Sequence, residues 1–312
     1  MQISNTRKMK RFIIRILAFL LLMFVVDRGV GLGMKYMQEK ASGGYIGHQN
    51  KIIHHSNEDV LIFGSSRAIH HYNPQIIKDS LNMSCYNCGQ NGNGIILFYG
   101  WWQLMKERHT PKIVIYDVYP RFDYLIGEDN HKYLGWLRSE YDTDSIQEIF
   151  EDIDTTEKYK MQSMMYRYNS KFLQNIVDFV HPIFKIKGDG FLALKGEMNK
   201  MKIKKEKRGG SHPEIDSLKL HMIEKLIVDM KKHDVQLFFV ASPLWYGSTG
   251  SEFDAIQRIC QQQDVKFYDF SNAPKYVRND RLFKDGSHMN ARGADEFTRD
   301  LVSILNRGQI FN

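Results

Sequence analysis

Short runs dominated by apolar residues recur along the chain: the unbroken Val60-Leu61-Ile62-Phe63, residues 112–118 and residues 235–240, with lesser ones at 83–87 and 265–269. Runs of this length, rich in β-branched and aromatic residues, predict strands buried on both faces, as in a parallel sheet. Between them, apolar residues at helical spacing predict helices over 74–81, 95–107, 215–233, 252–262 and 291–306. Asn73-Pro74 supplies an N-cap and a first helical residue for the first of these. Strands alternating with helices predict an α/β domain whose parallel sheet is covered on both faces.

Two regions depart from that rhythm. Near the N-terminus, Arg7, Lys8, Lys10, Arg11 and Arg15 precede the apolar run Ile16–Val26, which Asp27-Arg28 interrupts. The run is shorter than the roughly 20 residues of a comfortable membrane span, but Phe12-Ile13-Ile14 and a snorkelling Arg15 extend it. A cleaved signal peptide is the competing reading, and no clear small-x-small cleavage site follows Val26. The expectation is an uncleaved signal anchor over residues 1–34 and a polar connector over 35–57. The domain over 58–306 then lies outside the cytoplasmic membrane by the positive-inside rule. The second departure, about 121–214, reads as an insertion over the active face. Helices come first, near 144–150, 157–166 and 170–180, then a Gly- and Lys-rich loop over 185–210 that is either a lid or disordered. Tyr166, Arg167, Tyr168 and Asn169 either contact a substrate or, more plainly, pack the insertion onto the sheet.

Composition narrows the functional classes. The 312 residues carry a formal charge of +7, much of it from the N-terminal cluster and from Lys200, Lys202, Lys204, Lys205, Lys207 and Arg208. Neither cluster is interleaved with stacking aromatics, and nucleic acid is not the expected partner. Cys85 and Cys88 form a C-x-x-C without a second pair, and no further Cys/His cluster has zinc-site spacing. His54-His55 and His70-His71 read as exposed polar residues or packed histidines. No metal or organic cofactor is expected.

Two fragments carry candidate chemistry. Gly64-Ser65-Ser66 follows the first strand and precedes a helix, where α/β hydrolytic folds display a nucleophile, although Gly-Ser-Ser is also an ordinary turn. Asp285 and His288 stand three apart on a loop leading into the last helix. That spacing can bring a carboxylate to the imidazole Nδ1–H and leave Nε2 free as a base. The plainer alternative is an Asx-turn beside a surface histidine, with Asn290 capping the helix. Between the two fragments, Asn87 to Gly92 forms a Gly-rich turn after the second strand, able to aim backbone N–H groups at a developing oxyanion.

Together these blocks resemble the SGNH (GDSL-like) hydrolase superfamily. Gly64-Ser65-Ser66 fits its Gly-Asp-Ser block, with Ser65 in the Asp position. Asn87 and Gly92 fit its Asn-x-x-x-x-Gly turn, and Asp285 and His288 its Asp-x-x-His block. The resemblance covers about 58–120 and 215–306. It implies a three-layer α/β/α sandwich of flavodoxin-like type and a triad of Ser66 as nucleophile, His288 as base and Asp285 orienting it. It also implies an oxyanion hole that includes the backbone N–H groups of Ser66 and Gly92. The third block, Gly-x-Asn-Asp, is absent: residues 117–123 read DVYPRFD. Asn91, Asn93, Tyr119 and Arg121 are the candidates to replace its oxyanion donor or to touch substrate. Membrane-anchored members that modify cell-envelope polymers, among them those of teichoic-acid D-alanylation and alginate acetylation, share a Ser-Ser first block. That likeness implies an extracytoplasmic esterase or O-acyltransferase acting on ester groups of an envelope glycan, O-acetyl first among them. A transferase would need a multispanning acyltransferase as partner. The alternative is an inactive, glycan-binding or scaffolding relative.

Overall fold

In a computed structural model, the described residues are 2–127, 129–180, 188–198, 214–249 and 251–307, with side chains from residue 7 onward. The chain opens with α1 (Gln2–Lys40) and α2 (Gly44–Asn50), the latter running into a π-helical turn at Lys51–His55. The first half of the sheet domain follows as β1 (Val60–Gly64), α3 (Ser66–His71), α4 (Pro74–Leu81), β2 (Cys85–Asn87), α5 (Ile95–Met105) and β3 (Ile113–Asp117). The insertion holds α6 (Pro120–Asp123), α7 (His131–Leu134), α8 (Asp144–Ile153), α9 (Glu157–Lys160), α10 (Met164–Asn169) and α11 (Phe172–Val180). The second half is α12 (Ser217–Lys232), β4 (Gln236–Ala241), α13 (Asp254–Gln262), β5 (Lys266–Asp269) and α14 (Ala291–Arg307).

The five strands are all parallel, in the order β2-β1-β3-β4-β5. Side chains alternate across the sheet, and both faces are buried, so the strand runs carry no polar alternation. Leu61, Phe63, Val114, Tyr116 and Phe239 face one core, with Trp101 and Trp102 of α5 and Ile223 and Ile227 of α12. Val60, Ile62, Ile115 and Val240 face the other, with Ile77 of α4 and Phe297 and Leu301 of α14. The fold is therefore α/β with helices on both sides of one parallel sheet. β1 leads to β2 on one side, while β3 and its successors add on the other, so connections diverge between β1 and β3. Open α/β sheets bind ligands at the carboxyl ends of strands where connections diverge in this way.

The expected frame elements appear within a few residues of their predicted ends, and Asn73 caps α4 by accepting from the Gln75 amide at 3.0 Å. Three expectations need revision. The stretch 35–57, read as a polar connector, is largely helical and its middle is buried: Ile46, His48, Gln49, Asn50, Ile52 and Ile53 all lie inside. Its polar side chains find backbone partners, as where Asn50 Nδ2 donates to the carbonyls of Gln38 and Ala41. The expected anchor is not met by α1 alone: among the described residues no helix is long and apolar enough to cross a membrane. The apolar run between Arg15 and Asp27 rises only about 16 Å at 1.5 Å per residue, against a hydrocarbon core of about 30 Å. Finally, the loop read as beginning at 185 is not uniformly loose. Residues 188–198 form a strap fixed by backbone bonds: Asn87 N–H to Asp189 O (2.7 Å), Leu192 N–H to Ile69 O (2.9 Å) and Ala291 N–H to Leu194 O (2.8 Å). The Lys-rich part, Lys200 to Arg208, lies outside the described residues. Tyr166, Arg167 and Tyr168 hold the insertion together: Tyr166 O–H donates to Glu157, Arg167 pairs with Asp142 at 2.8 Å, and Tyr168 is buried. Asn169 accepts from Arg138 at 3.1 Å.

Candidate active site

The turn between β1 and α3 is forced by what surrounds it. Gly64 has φ +137°, and a Cβ there would sit 2.7 Å from the Asp117 carbonyl oxygen on the paired strand. Only glycine fits that combination of conformation and close approach. The chain then enters α3 at Ser66, so the two serines diverge. Ser65 is buried and its hydroxyl makes no hydrogen bond. The Ser66 Oγ lies 2.8 Å from His288 Nε2.

His288 stands on the loop before α14. Its Nδ1 is 3.0 Å from each oxygen of Asp285. Asp285 Oδ1 also accepts from the Ser287 and His288 amides, each at 2.9 Å. The Asx-turn and the carboxylate–imidazole contact are thus one structure, and Asn290 separately caps α14 by accepting from the Gly293 amide at 3.0 Å. Burial works to raise the Asp285 pKa. The His288 ring and the two amides outweigh it and hold the carboxyl below its ordinary value. An ionised Asp285 keeps the proton of neutral His288 on Nδ1, and Nε2 is then the acceptor for the Ser66 hydroxyl proton.

Behind these three residues lie buried polar groups whose partners the sequence does not announce. The Met289 amide donates to His71 Nε2 at 3.0 Å. The ring proton therefore sits on Nδ1, which donates to Ser242 Oγ at 3.0 Å. Burial pushes His71 well below the ordinary histidine range, so it is neutral. Asp117, at the end of β3, accepts from Tyr72 O–H (2.8 Å) and the Ser242 amide (3.0 Å), and faces Arg67 at 3.4 Å. Burial raises its pKa against the pull of Arg67 and those bonds. Arg67, 1% exposed, also donates to the Val118 carbonyl and lies under the Tyr119 ring. His70 shares the Ser66 face of α3, one turn on. Its Nδ1–H donates to Leu192 O at 2.6 Å, and its ring meets that of His288 edge-on at 5.6 Å. The only sequence signal for these roles is the adjacency of His70-His71 to Ser66.

The turn after β2 closes where the Asn93 amide donates to Gln90 O at 3.2 Å, with Gly92 in the left-handed region at φ +68°. The Gln90 amide ties it to Gly64 O at 3.0 Å. Asn87 is the turn's clamp: its Nδ2 donates to the carbonyls of Ala68 (2.7 Å) and Tyr72 (2.9 Å), and its Oδ1 accepts from the Gly89 amide (2.9 Å). His48 supports the turn from below, donating to Gly89 O at 3.1 Å and accepting from Tyr86 O–H at 2.9 Å. Among the candidates for the absent side-chain donor, Asn91 donates to Tyr45 O–H (3.1 Å) and Asn93 to the Asn91 carbonyl (2.8 Å). The Tyr119 ring lies on Arg67 and its amide donates to Asp123, while Arg121 is exposed beside the Phe122 ring. Cys85, Cys88 and Cys260 are buried free thiols, and burial raises the pKa of each. His131, Asp154 and Glu157 cluster in the insertion, where Lys160 Nζ sits 3.3 Å from Asp154 and 2.7 Å from Glu157.

No family model and no curated protein matches the chain. Among solved structures it is similar to the acetyl xylan esterase AlAXEase, at 11% identity over 79% of this chain and 99% of that one, with a TM-score of 0.39. A variant of Axe2, an acetyl-xylooligosaccharide esterase from Geobacillus Stearmophilus, gives 11% identity, 80% and 94% coverage and a TM-score of 0.40. The acetyl xylan esterase Est2A from Butyrivibrio proteoclasticus gives 10%, 81% and 64% coverage and 0.35.

Proposed function

We propose that the protein is a serine-dependent ester hydrolase or O-acyltransferase that acts on ester groups of a cell-envelope polysaccharide and is held at the membrane through α1. The observation that carries this reading is the continuous contact from Ser66 Oγ through His288 to Asp285. Ser66 attacks the ester carbonyl while its proton passes to His288 Nε2. The negative charge on the carbonyl oxygen is met by backbone N–H groups, those of Ser66 at the start of α3 and of Gly92. The leaving alcohol takes the proton from His288, and an acyl-Ser66 remains. Water or a sugar hydroxyl then loses its proton to His288, attacks the acyl carbon and restores Ser66. Water makes an esterase. A glycan hydroxyl makes a transferase, which would need an acyl donor delivered from across the membrane.

The openness of the site supports a polymeric substrate. The side chains of Asp285 and His288 are 54% and 26% exposed, so a chain longer than any enclosed pocket could reach Ser66. A second reading, a glycan-binding protein with little catalysis, draws on one observation: Asn91 and Asn93 each direct one amide N–H within or beside their own turn, to Tyr45 and to the Asn91 carbonyl, rather than toward Ser66. Losing one such donor costs on the order of a hundredfold or more in rate.

The deciding experiment treats the protein with a fluorophosphonate probe and an activated acetyl ester, beside Ser66→Ala, Ser65→Ala and His288→Ala. Labelling and a roughly thousandfold or greater share of turnover are expected to vanish with Ser66→Ala and His288→Ala. Both should survive Ser65→Ala. A folded wild type that neither labels nor turns over would leave the binding reading in its place.

A further inference from the structure

Helix α11 is folded inside out for a surface in water. Asn175 and Asp178 are buried, whereas Phe172, Leu173, Phe179 and Val180 are 41%, 74%, 40% and 70% exposed. Neither amide atom of Asn175 has a hydrogen-bond partner. Asp178 accepts from the Ile46 amide at 2.9 Å and from Gln174 at 2.7 Å, which fastens the helix to α2 with its polar side inward. A surface helix in water presents the opposite arrangement.

Its neighbour α1 likewise exposes apolar side chains. Phe19, Leu20, Leu21 and Leu22 are consecutive, so they cover a full helical turn, and all are 56–64% exposed. A protein groove would cover one stripe of such a helix. A helix apolar on every side suits lipid. The two helices meet at Tyr36 and Phe179, whose rings are 6.0 Å apart. At Gly31 a Cβ would lie 2.3 Å from the Cβ of Met164, so the bare backbone is what lets α10 settle against α1.

The charges that interrupt the apolar run are used at this junction. Asp27 accepts from the Ser163 hydroxyl and from the amides of Met164 (2.9 Å) and Met165 (3.0 Å), at the start of α10. Arg28 donates to the Gln162 carbonyl at 2.9 Å. A cleft of about 520 Å³ lined by Met23, Val26, Val30, Met34, Met165 and Phe172 carries the apolar surface from α1 across to α11.

We propose that α11 and the start of α10 face the lipid of a phospholipid bilayer beside α1, making the insertion a second membrane contact of the protein. This rests on the reading of α1 as the membrane-held element. It also explains how α1 could serve despite its short apolar run. From Phe12 to Tyr36 a helix rises about 36 Å, more than a hydrocarbon core of about 30 Å, and the insertion hydrogen-bonds Asp27 and Arg28, the charged break in between. Lys8, Lys10 and Arg11 beyond the apolar stretch suit anionic headgroups.

The test uses the full chain in phosphatidylcholine–phosphatidylglycerol vesicles. The three native cysteines are buried, so single cysteines introduced by Leu20→Cys, Leu173→Cys or Lys266→Cys can carry an environment-sensitive fluorophore. The labels at 20 and 173 are expected to be quenched severalfold more by doxyl-labelled lipid than the label at exposed Lys266, and shielded from aqueous iodide. Gly31→Leu, which pushes α10 off α1, should reduce lipid quenching at 173 and leave it unchanged at 20. If position 20 meets lipid while 173 behaves like 266, the proposal falls and the membrane reading of α1 stands. If 20 also behaves like 266, both fall. Protection at 173 from iodide and lipid alike, rising with protein concentration, would assign the face to a second copy and overturn the proposal.

Discussion

Two of the regions where polar groups are buried are built differently. Beneath the nucleophile turn, Asn87, His71, His48 and Asp117 each reach across the fold to at least two partners from other elements, as in the run from the Met289 amide through His71 to Ser242. In α11, Asn175 is buried with no partner, while four apolar side chains of the same helix are exposed. The first arrangement positions groups against a face open to water. The second keeps a helix's outer side apolar at the expense of its inner side. On the two proposals made above, the contrast separates a face for chemistry from a face for contact with lipid.

The largest effect should follow from breaking the first region at its centre. Asp117→Ala leaves Arg67 buried and without its counter-charge, and strips Tyr72 and Ser242 of their acceptor. Removing one member of a buried pair costs about 3–5 kcal/mol. Urea unfolding in mild detergent measures it. A cost under about 1 kcal/mol, the range of an exposed pair, would mean the network is not what holds β3 to the nucleophile turn.

The two regions also differ in how far the sequence reveals them. The strands are legible because burial on both faces leaves short runs dominated by apolar residues, unbroken at Val60–Phe63. Asp285 and His288 are legible because three residues suffice for an Asx-turn and a ring contact together. The role of His71 is not, since its partners Ser242 and Met289 lie far along the chain. Nor is the burial of 35–57, where polar side chains such as Gln49, donating to the Trp136 carbonyl at 3.0 Å, go inside by finding distant backbone. For α11 the periodicity of FLQNIVDFV predicts a helix and two faces. Which face meets the core depends on Ile46 and Tyr36, and no local pattern carries that information.

A somewhat smaller effect should come from acid. Burial lowers the His48 pKa from 6.5 to about 4, so the folded protein holds this ring neutral. The unfolded chain binds the proton near pH 6.5 and the folded one only near pH 4. Stability is therefore full above about pH 6.5 and is lost as pH falls toward 4, by about 3 kcal/mol at 1.36 kcal/mol per unit. His48→Gln can still donate to Gly89 O and accept from Tyr86 O–H without titrating. Denaturation curves between pH 7 and 4 should be flatter for this variant by that amount. Equal slopes would place the acid sensitivity elsewhere, with His71 next to be tested.

The smallest effect has the opposite sign and sets the regions against each other directly. Asn175 is 0% exposed, and both of its amide atoms are without hydrogen bonds. Asn175→Leu removes that desolvation cost, keeps the branched shape of the side chain and improves helix propensity; the larger volume of leucine offsets part of this, so the protein should gain about 1 kcal/mol. The same replacement at Asn87 strands the Ala68 and Tyr72 carbonyls and the Gly89 amide, and must destabilise. Paired unfolding measurements on the two variants read the signs. A loss at Asn175 would show that its amide is engaged after all, and α11 would then be an ordinary surface helix with an apolar exterior rather than one selected for its outward side. A gain there with a loss at Asn87 means that polarity inside α11 is tolerated, whereas polarity under the nucleophile turn is required.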